Sequence, residues 1–246
     1  MLIHMEEQIP HLTFSIFTDC PIKHAVFLRH GGCSTGDFDS LNFGLAQGDN
    51  PKHVAENRNK AADLLRLREV ASLYQQHGDQ VLHTLSPIQK RGDGLMTNRK
   101  GLGLLILHAD CQAAIFYDPM HHALANIHCG WRGNVLNIYR ETVARMHALY
   151  GTEASDVLVG ISPSLGPEAA EFKNFRTEFP PNFWSFQTTP TYFNLWEISR
   201  WQLESAGVLP HHIEIAGICT YKNSDDYFSY RRIKQGGRHG TLAALL

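Results

Sequence analysis

The sequence predicts an α+β fold: a single domain over residues 1–246 in which mixed β-sheets are flanked by helices. Three observations lead there. Residues 71–128 carry six short apolar runs punctuated by Gly, Asp and Pro, as consecutive strands do. Three stretches with apolar residues at helical spacing stand around that block instead of alternating strictly with strands. No internal repeat, low-complexity tract or long linker divides the chain.

Taken in order, Ala25 to Arg29 reads as an apolar strand, and a Gly-rich, turn-rich segment follows from His30 to Asp49. Asn50-Pro51 starts a helix, with a capping side chain before a proline in the first turn; Val54, Ala61, Leu64 and Leu65 form its apolar stripe. The strand block comprises Ala71–Tyr74, Gln80–Leu85, Gly94–Thr97, Leu104–Ala109, Ala113–Tyr117 and Ala123–Ile127. A second helix is predicted over Asn134 to Leu149, with Leu136, Tyr139, Val143 and Met146 on one face. Val157 to Ile161 is a further strand. A third helix runs from Leu195 to Ala206 and stops at Gly207. Strands over Ile213–Ile218 and Tyr227–Tyr230 finish the core.

With 246 residues, 43% of them hydrophobic, the chain can bury one sizeable core. A net charge of -2 gives no general attraction to nucleic acid or an anionic membrane, so a small polar substrate fits better. The five cysteines are odd in number and scattered, which points to reduced thiols in a cytosol. Met1 to Phe14 contains Glu6, Glu7 and Pro10 where a signal peptide needs an apolar run. The most apolar stretch, Gly101 to Tyr117, is broken by His108 and Asp110 and is short for a membrane span. A cytoplasmic protein is expected, and a monomer, since no exposed apolar helix stands out. Fifteen histidines are many for this length and justify a search for a site; His4, His11, His53, His83, His147, His211 and His212 are assigned to the surface.

Three polar interruptions fall at strand ends: Gln75-Gln76-His77-Gly78, Ala109-Asp110-Cys111-Gln112, and Ile127-His128-Cys129-Gly130-Trp131-Arg132-Gly133. Two imidazoles and a thiolate suit zinc, or copper, and three protein ligands leave a coordination position open for catalysis. Asp110, beside the thiolate, is a candidate for orienting a ligand or for acid–base work. The same residues fit a metal-free Cys-His hydrolase with Cys111 as nucleophile and His128 or His77 as base. A scaffold with structural zinc would instead need a fourth ligand, for which His108 and Cys129 are nearest. Spacing alone leaves these alternatives open, because His and Cys at strand ends are more often core or surface residues than ligands.

Further segments carry a resemblance: Arg29-His30-Gly31-Gly32-Cys33-Ser34, Ser40-Leu41-Asn42-Phe43-Gly44, Gly48-Asp49-Asn50-Pro51, Glu56-Asn57-Arg58 and Phe228-Ser229-Tyr230-Arg231-Arg232. With Gln76-His77-Gly78, Ala109-Asp110-Cys111 and His128-Cys129-Gly130-Trp131-Arg132-Gly133, the chain resembles the laccase-domain family. That family is also called polyphenol oxidase or peptidoglycan editing factor, and the motifs keep its order from about Val26 onward. The resemblance implies zinc held by His77, Cys111 and His128. It implies an enzyme that phosphorolyses adenosine, inosine and methylthioadenosine and deaminates adenosine. One of the family's names also implies a hydrolase editing nucleotide-linked cell-wall precursors. His108 stands where the family often has threonine, and Cys129 adds a second thiol near the expected metal.

A multicopper mechanism needs several paired histidines, and the chain has no H-x-H; the adjacent pairs His121-His122 and His211-His212 would point to opposite faces of a strand. Copper at the single site could still oxidise phenols in vitro. Phosphorolysis requires a held phosphate, for which Arg29, Arg231, Arg232 and Asn42 are the candidates, with the segment Trp131 to Asn134 as an anion-binding strand–helix junction. Trp131 and Phe43 are candidates for stacking on a purine.

Overall fold

The computed structural model describes residues 1–5 and 8–246; Glu6 and Glu7, read as evidence against a signal peptide, lie outside them. The chain opens with β1 (Leu2–His4), β2 (His11–Thr13) and β3 (Ile22–Phe27), then α1 (Pro51–Leu64). The strand block follows as β4 (Glu69–Tyr74), β5 (Val81–His83), β6 (Gln89–Arg91), β7 (Gly94–Thr97), β8 (Leu102–His108), β9 (Gln112–Asp118) and β10 (Ala123–Cys129). Next come α2 (Trp131–Leu136), α3 (Ile138–Tyr150), β11 (Leu158–Ile161) and α4 (Phe175–Glu178). The hairpin β12 (Gln187–Thr189) and β13 (Tyr192–Phe193) leads to α5 (Leu195–Ser205), β14 (Ile213–Ile215) and β15 (His239–Leu245).

These strands form a seven-stranded sheet in the order β1-β2-β3-β15-β8-β4-β6 and a six-stranded sheet in the order β14-β11-β9-β10-β7-β5. Both are mixed: β15 is antiparallel to β3 and β8, whereas β4 runs parallel to β8. The sheets pack face to face. Val26, Leu104, Ile106 and Ala243 from one meet Leu95, Ile115, Tyr117 and Leu124 from the other in one buried cluster. Behind the larger sheet, Ala61 of α1 and Leu65 just after it pack on Phe27, Leu105 and Leu242. Behind the smaller one, Tyr139, Val143 and Met146 of α3 and Leu203 of α5 pack on Phe116, Ala125 and Ile127. The result is four layers, helix–sheet–sheet–helix, and the fold is α+β. Each large side chain removed from water in these clusters contributes roughly 2 kcal/mol, which offsets the entropy of ordering the chain.

The helix starts follow local chemistry. The Asn50 side chain accepts from the Lys52 N–H at 3.0 Å with Pro51 in the first turn, and Asn194 caps α5 by accepting from Trp196 and Glu197. Gly207, with φ +98, takes the left-handed conformation that follows α5.

Several expectations change. The helix predicted over Asn134–Leu149 is two helices, broken at Asn137, which is left-handed (φ 60, ψ 56) and caps α3 through its side chain. That break turns Leu136 outward, 48% exposed, while Tyr139, Val143 and Met146 are buried. Tyr227–Tyr230 is not a strand but a turn-rich loop. The last core strand is β15, with its small residues Gly240, Ala243 and Ala244, and it occupies the middle of the larger sheet. His11 is buried on β2, not on the surface. Among the described residues no helix is long and apolar enough to cross a membrane.

Candidate metal centre and its cavity

Three chain segments meet at one end of the sheets. His77 follows β4, Cys111 lies in the turn between β8 and β9, and His128 is near the end of β10. Their ligand atoms all lie within 4.8 Å of one another, the one such group of three or more His, Cys, Asp or Glu side chains among the described residues. The His77 and His128 rings are 4.8 Å apart and nearly perpendicular. Gly130 makes room for them: a Cβ there would fall 2.8 Å from Cys111 Sγ and 3.1 Å from His77 Cδ2. His77 itself holds a left-handed conformation, φ 60. Two imidazoles and a thiol, brought together with no fourth such ligand among the described residues, fit a bound metal ion with an open position.

Asp93, immediately before β7, organises the group. Its carboxylate accepts from His128 Nδ1 at 2.9 Å and from the backbone N–H groups of His77 and Gly78 at 2.8 Å each, with a longer contact from Gln76. It thereby fixes the loop that carries His77 and keeps the Nδ1 proton of His128, leaving Nε2 for the ligand position. Sequence reasoning missed Asp93. Gly92-Asp93-Gly94 reads as an ordinary turn, and only its burial, 1% exposed, reveals the role.

Charge is concentrated here. Burial alone would raise the Cys111 thiol, but His128 and His77 beside it pull it down to about 6. Burial would lower His128, yet the Cys111 thiolate and Asp93 push it up to about 9. The two shifts are mutual, each group favouring the charged form of the other.

This group forms part of the wall of a cavity of about 810 Å³. Trp131, Phe172, Tyr230, Arg58, Arg231 and Arg238 line it as well. Trp131 packs edge-on against Phe172 and Phe179, with the Arg132 guanidinium 4.5 Å above its ring.

The other candidates divide. Arg231 lines the cavity, its guanidinium held by the carbonyls of Ala169 and Glu171. Arg29 and Arg232 do not. Arg29 donates to the Asp39 and Ser224 carbonyls and lies over Phe228; Arg232 donates to those of Thr220 and Tyr227. Both border a separate cleft of about 60 Å³. Asn42 is fully buried and spent on Gly44, Asp49 and the Arg238 N–H, which makes it a brace rather than a ligand contact.

Asp110 is engaged on both oxygens. One accepts from Thr220 Oγ1, the other from Ser229 Oγ and the Arg231 N–H, so it ties the C-terminal loops to the site. Cys129 turns away from the metal group into the cluster under α3, where burial pushes its thiol well up. His108 lines the cavity, but its Nε2 is engaged with Thr241 Oγ1 at 2.8 Å and burial drives it far below its usual range. Phe43 is a core residue packed on Phe27, not a stacking platform.

A family model described as multi-copper polyphenol oxidoreductase laccase matches residues 23–246. A purine nucleoside phosphorylase of Bacteroides thetaiotaomicron is 34% identical over 234 residues, covering 86% of this chain and 87% of that protein. The purine nucleoside phosphorylase YfiH of Escherichia coli is 32% identical over 229 residues, covering 89% and 91%. The crystal structure of YlmD from Geobacillus stearothermophilus superposes with a TM-score of 0.88 at 26% identity, over 98% of this chain and 97% of that one. Nearly the whole chain, the three convergent ligands included, falls within the matched region, and the protein belongs to the multi-copper polyphenol oxidoreductase laccase family.

Proposed function

We propose that this protein is a zinc-dependent purine nucleoside phosphorylase that also deaminates adenosine, working in the cytoplasm as a monomer. The observation that carries the proposal is the convergence of His77, Cys111 and His128 on one wall of a cavity large enough for a nucleoside. The names of the relatives above supply the substrate class.

Phosphorolysis joins a phosphate oxygen to the ribose C1′ as the C1′–N9 bond breaks. The bonding electron pair leaves with the purine, and the proton of HPO₄²⁻ ends on the base. The chain's own groups divide that work. Trp131, Phe172 and Tyr230 offer aromatic faces for the purine. Asp93 holds the tautomer of His128, and Cys111 presents a thiolate at neutral pH. A zinc ion held by His77, Cys111 and His128 supplies a Lewis acid. The donor set accommodates one ion, so the multi-copper chemistry in the family's description finds no second group of ligands among the described residues; copper in place of zinc is the route to phenol oxidation in vitro.

The test is to purify the protein without chelator, assay zinc and copper, and incubate it with adenosine with and without phosphate. About one zinc per chain is expected, with adenine appearing only when phosphate is present and inosine in its absence. In Cys111→Ala both activities should fall by more than about a thousandfold, with the zinc lost. A zinc-loaded protein that turns over no nucleoside removes this reading. The Cys111–His128 ion pair favours one second reading, a Cys-His hydrolase acting on nucleotide-linked cell-wall precursors. Activity on such precursors that survives chelation but not alkylation would establish it.

A further inference from the structure

Two arginines outside the sequence-derived candidate set converge on one short segment beside the metal group. Arg58, on α1, donates through Nε and Nη2 to the Phe43 carbonyl at 3.0 and 2.7 Å. Arg238, just before β15, accepts from the Phe43 N–H with its own carbonyl at 2.9 Å and donates its N–H to Asn42 Oδ1 at 2.8 Å. Gly44 permits the close approach, since a Cβ there would lie 2.9 Å from Arg238 Cγ. Both side chains line the cavity that contains Cys111, and Arg238 is close enough for the charges of Cys111 and Asp110 to act on it.

What these guanidiniums lack, among the described residues, is a hydrogen-bonded anion. Every protein acceptor they use is a carbonyl: Phe43 for Arg58, and Lys234, Gly236 and Gly237 for Arg238. Arg58 Nη1 and Arg238 Nε have no protein acceptor among the described residues. Three other arginines do face an anion: Arg99, Arg145 and Arg200 each pair with a glutamate. A half-buried cation without a counter-ion is costly, and burial holds both groups below their usual range. Two planar forks on the wall of one cavity suit a tetrahedral oxyanion, and the carbonyl bonds, to Phe43 for Arg58 and to Lys234, Gly236 and Gly237 for Arg238, fix their orientation beforehand.

We propose that Arg58 and Arg238 form an oxyanion subsite beside the metal group and that its ligand is inorganic phosphate. The identity of the ligand rests on the phosphorylase reading; the subsite itself rests on the two unpaired guanidiniums. The phosphate so held would be the one whose oxygen attacks C1′.

The test measures phosphate binding apart from turnover. Inorganic phosphate is titrated calorimetrically into the zinc-loaded protein without nucleoside, for the wild type, Arg58→Gln, Arg238→Gln and Arg58→Lys. Zinc content and melting temperature report whether each variant is folded. Each Gln variant should weaken phosphate binding at least about tenfold, and Arg58→Lys should restore part of the loss. In the adenosine assay the phosphate KM should rise by a similar factor while the adenosine KM moves less than about twofold. Phosphorolysis with an unchanged phosphate KM in both Gln variants would overturn the subsite and leave the phosphorylase reading intact. Arginine-dependent phosphate binding without phosphorolysis would uphold the subsite and remove that reading. A wild type that ignores inorganic phosphate but binds adenosine 5′-monophosphate through the same arginines would overturn phosphate as the ligand.

Discussion

Two buried histidines of this fold, His128 and His239, have opposite chemistry. At the cavity wall, His77 and His128 stand with Cys111 and Asp93; in the seam between the sheets, His108 and His239 lie 5.5 Å apart. His128 and His239 are almost equally buried, at 3% and 0% exposure. Yet His128 is pushed up to about 9 and His239 down to about 3. The difference lies in their partners. His239 accepts from the Phe228 N–H through Nε2 and donates to the Phe27 carbonyl through Nδ1, both neutral groups. His128 has a thiolate on one side and a carboxylate on the other. Burial expels charge unless an opposite charge waits inside. His239 is therefore a neutral strut, and the cavity wall has two negative charges, on Cys111 and Asp93, that call for a cation.

Removing one of those negative charges should give the largest effect. Asp93→Asn keeps the shape but not the charge, and one end of the new amide faces donors. The zinc dissociation constant should rise by about 10–100-fold in a chelator competition, and the metal-free protein should lose roughly 3 kcal/mol in urea unfolding. An unchanged zinc affinity would mean that His77 and His128 are held by something other than Asp93.

Acid should act next, and on the other region. Between about pH 6.5 and 9 the raised His128 binds a proton that its unfolded counterpart lacks, while Cys111 has given one up. The two contributions have opposite slopes and largely cancel, so stability of the metal-free protein should be nearly flat there. Below pH 6.5, unfolded histidines take up protons that His239 and His24, lowered by burial to about 3 and about 4, refuse. Their contribution is complete above 6.5 and is lost as the pH falls. Urea unfolding at pH 5 should show a loss of roughly 2 kcal/mol for each of the two. A steep slope between pH 7 and 9 would contradict the pairing of Cys111 with His128.

The smallest effect compares two thiols eighteen positions apart. Cys129→Ala should leave zinc content unchanged and cost about 1 kcal/mol, the price of a small void under α3. Loss of zinc in that variant would place Cys129 at the metal after all.

The sequence carried much of the frame and part of the site. Short apolar runs punctuated by Gly, Asp and Pro marked the strand block from residue 71 to 128, and helical spacing marked the helices begun by Asn50 and Asn194. His77, Cys111 and His128 stood out because each interrupts an apolar run where a strand ends. β15 was missed because Gly240, Ala243 and Ala244 give little apolar signal; what makes it a core strand is the room between β3 and β8. Asp110 was given a catalytic role because its chain neighbour is Cys111, while the groups that occupy it, Thr220, Ser229 and Arg231, come from more than a hundred residues away. The arginines show the same limit. Arg29, Arg58, Arg232 and Arg238 look alike in sequence, and only the cavity separates them.

The position of β15 also sets a timetable. β3 and β8, its two neighbours, leave the ribosome long before it does, and until it arrives each keeps a row of unpaired backbone groups beside apolar side chains. The larger sheet therefore cannot close until β15 has been made. Arg238 and His239 arrive with that last strand, so the growing chain can assemble its metal ligands early but cannot complete the cavity around them until the sheet itself is sealed.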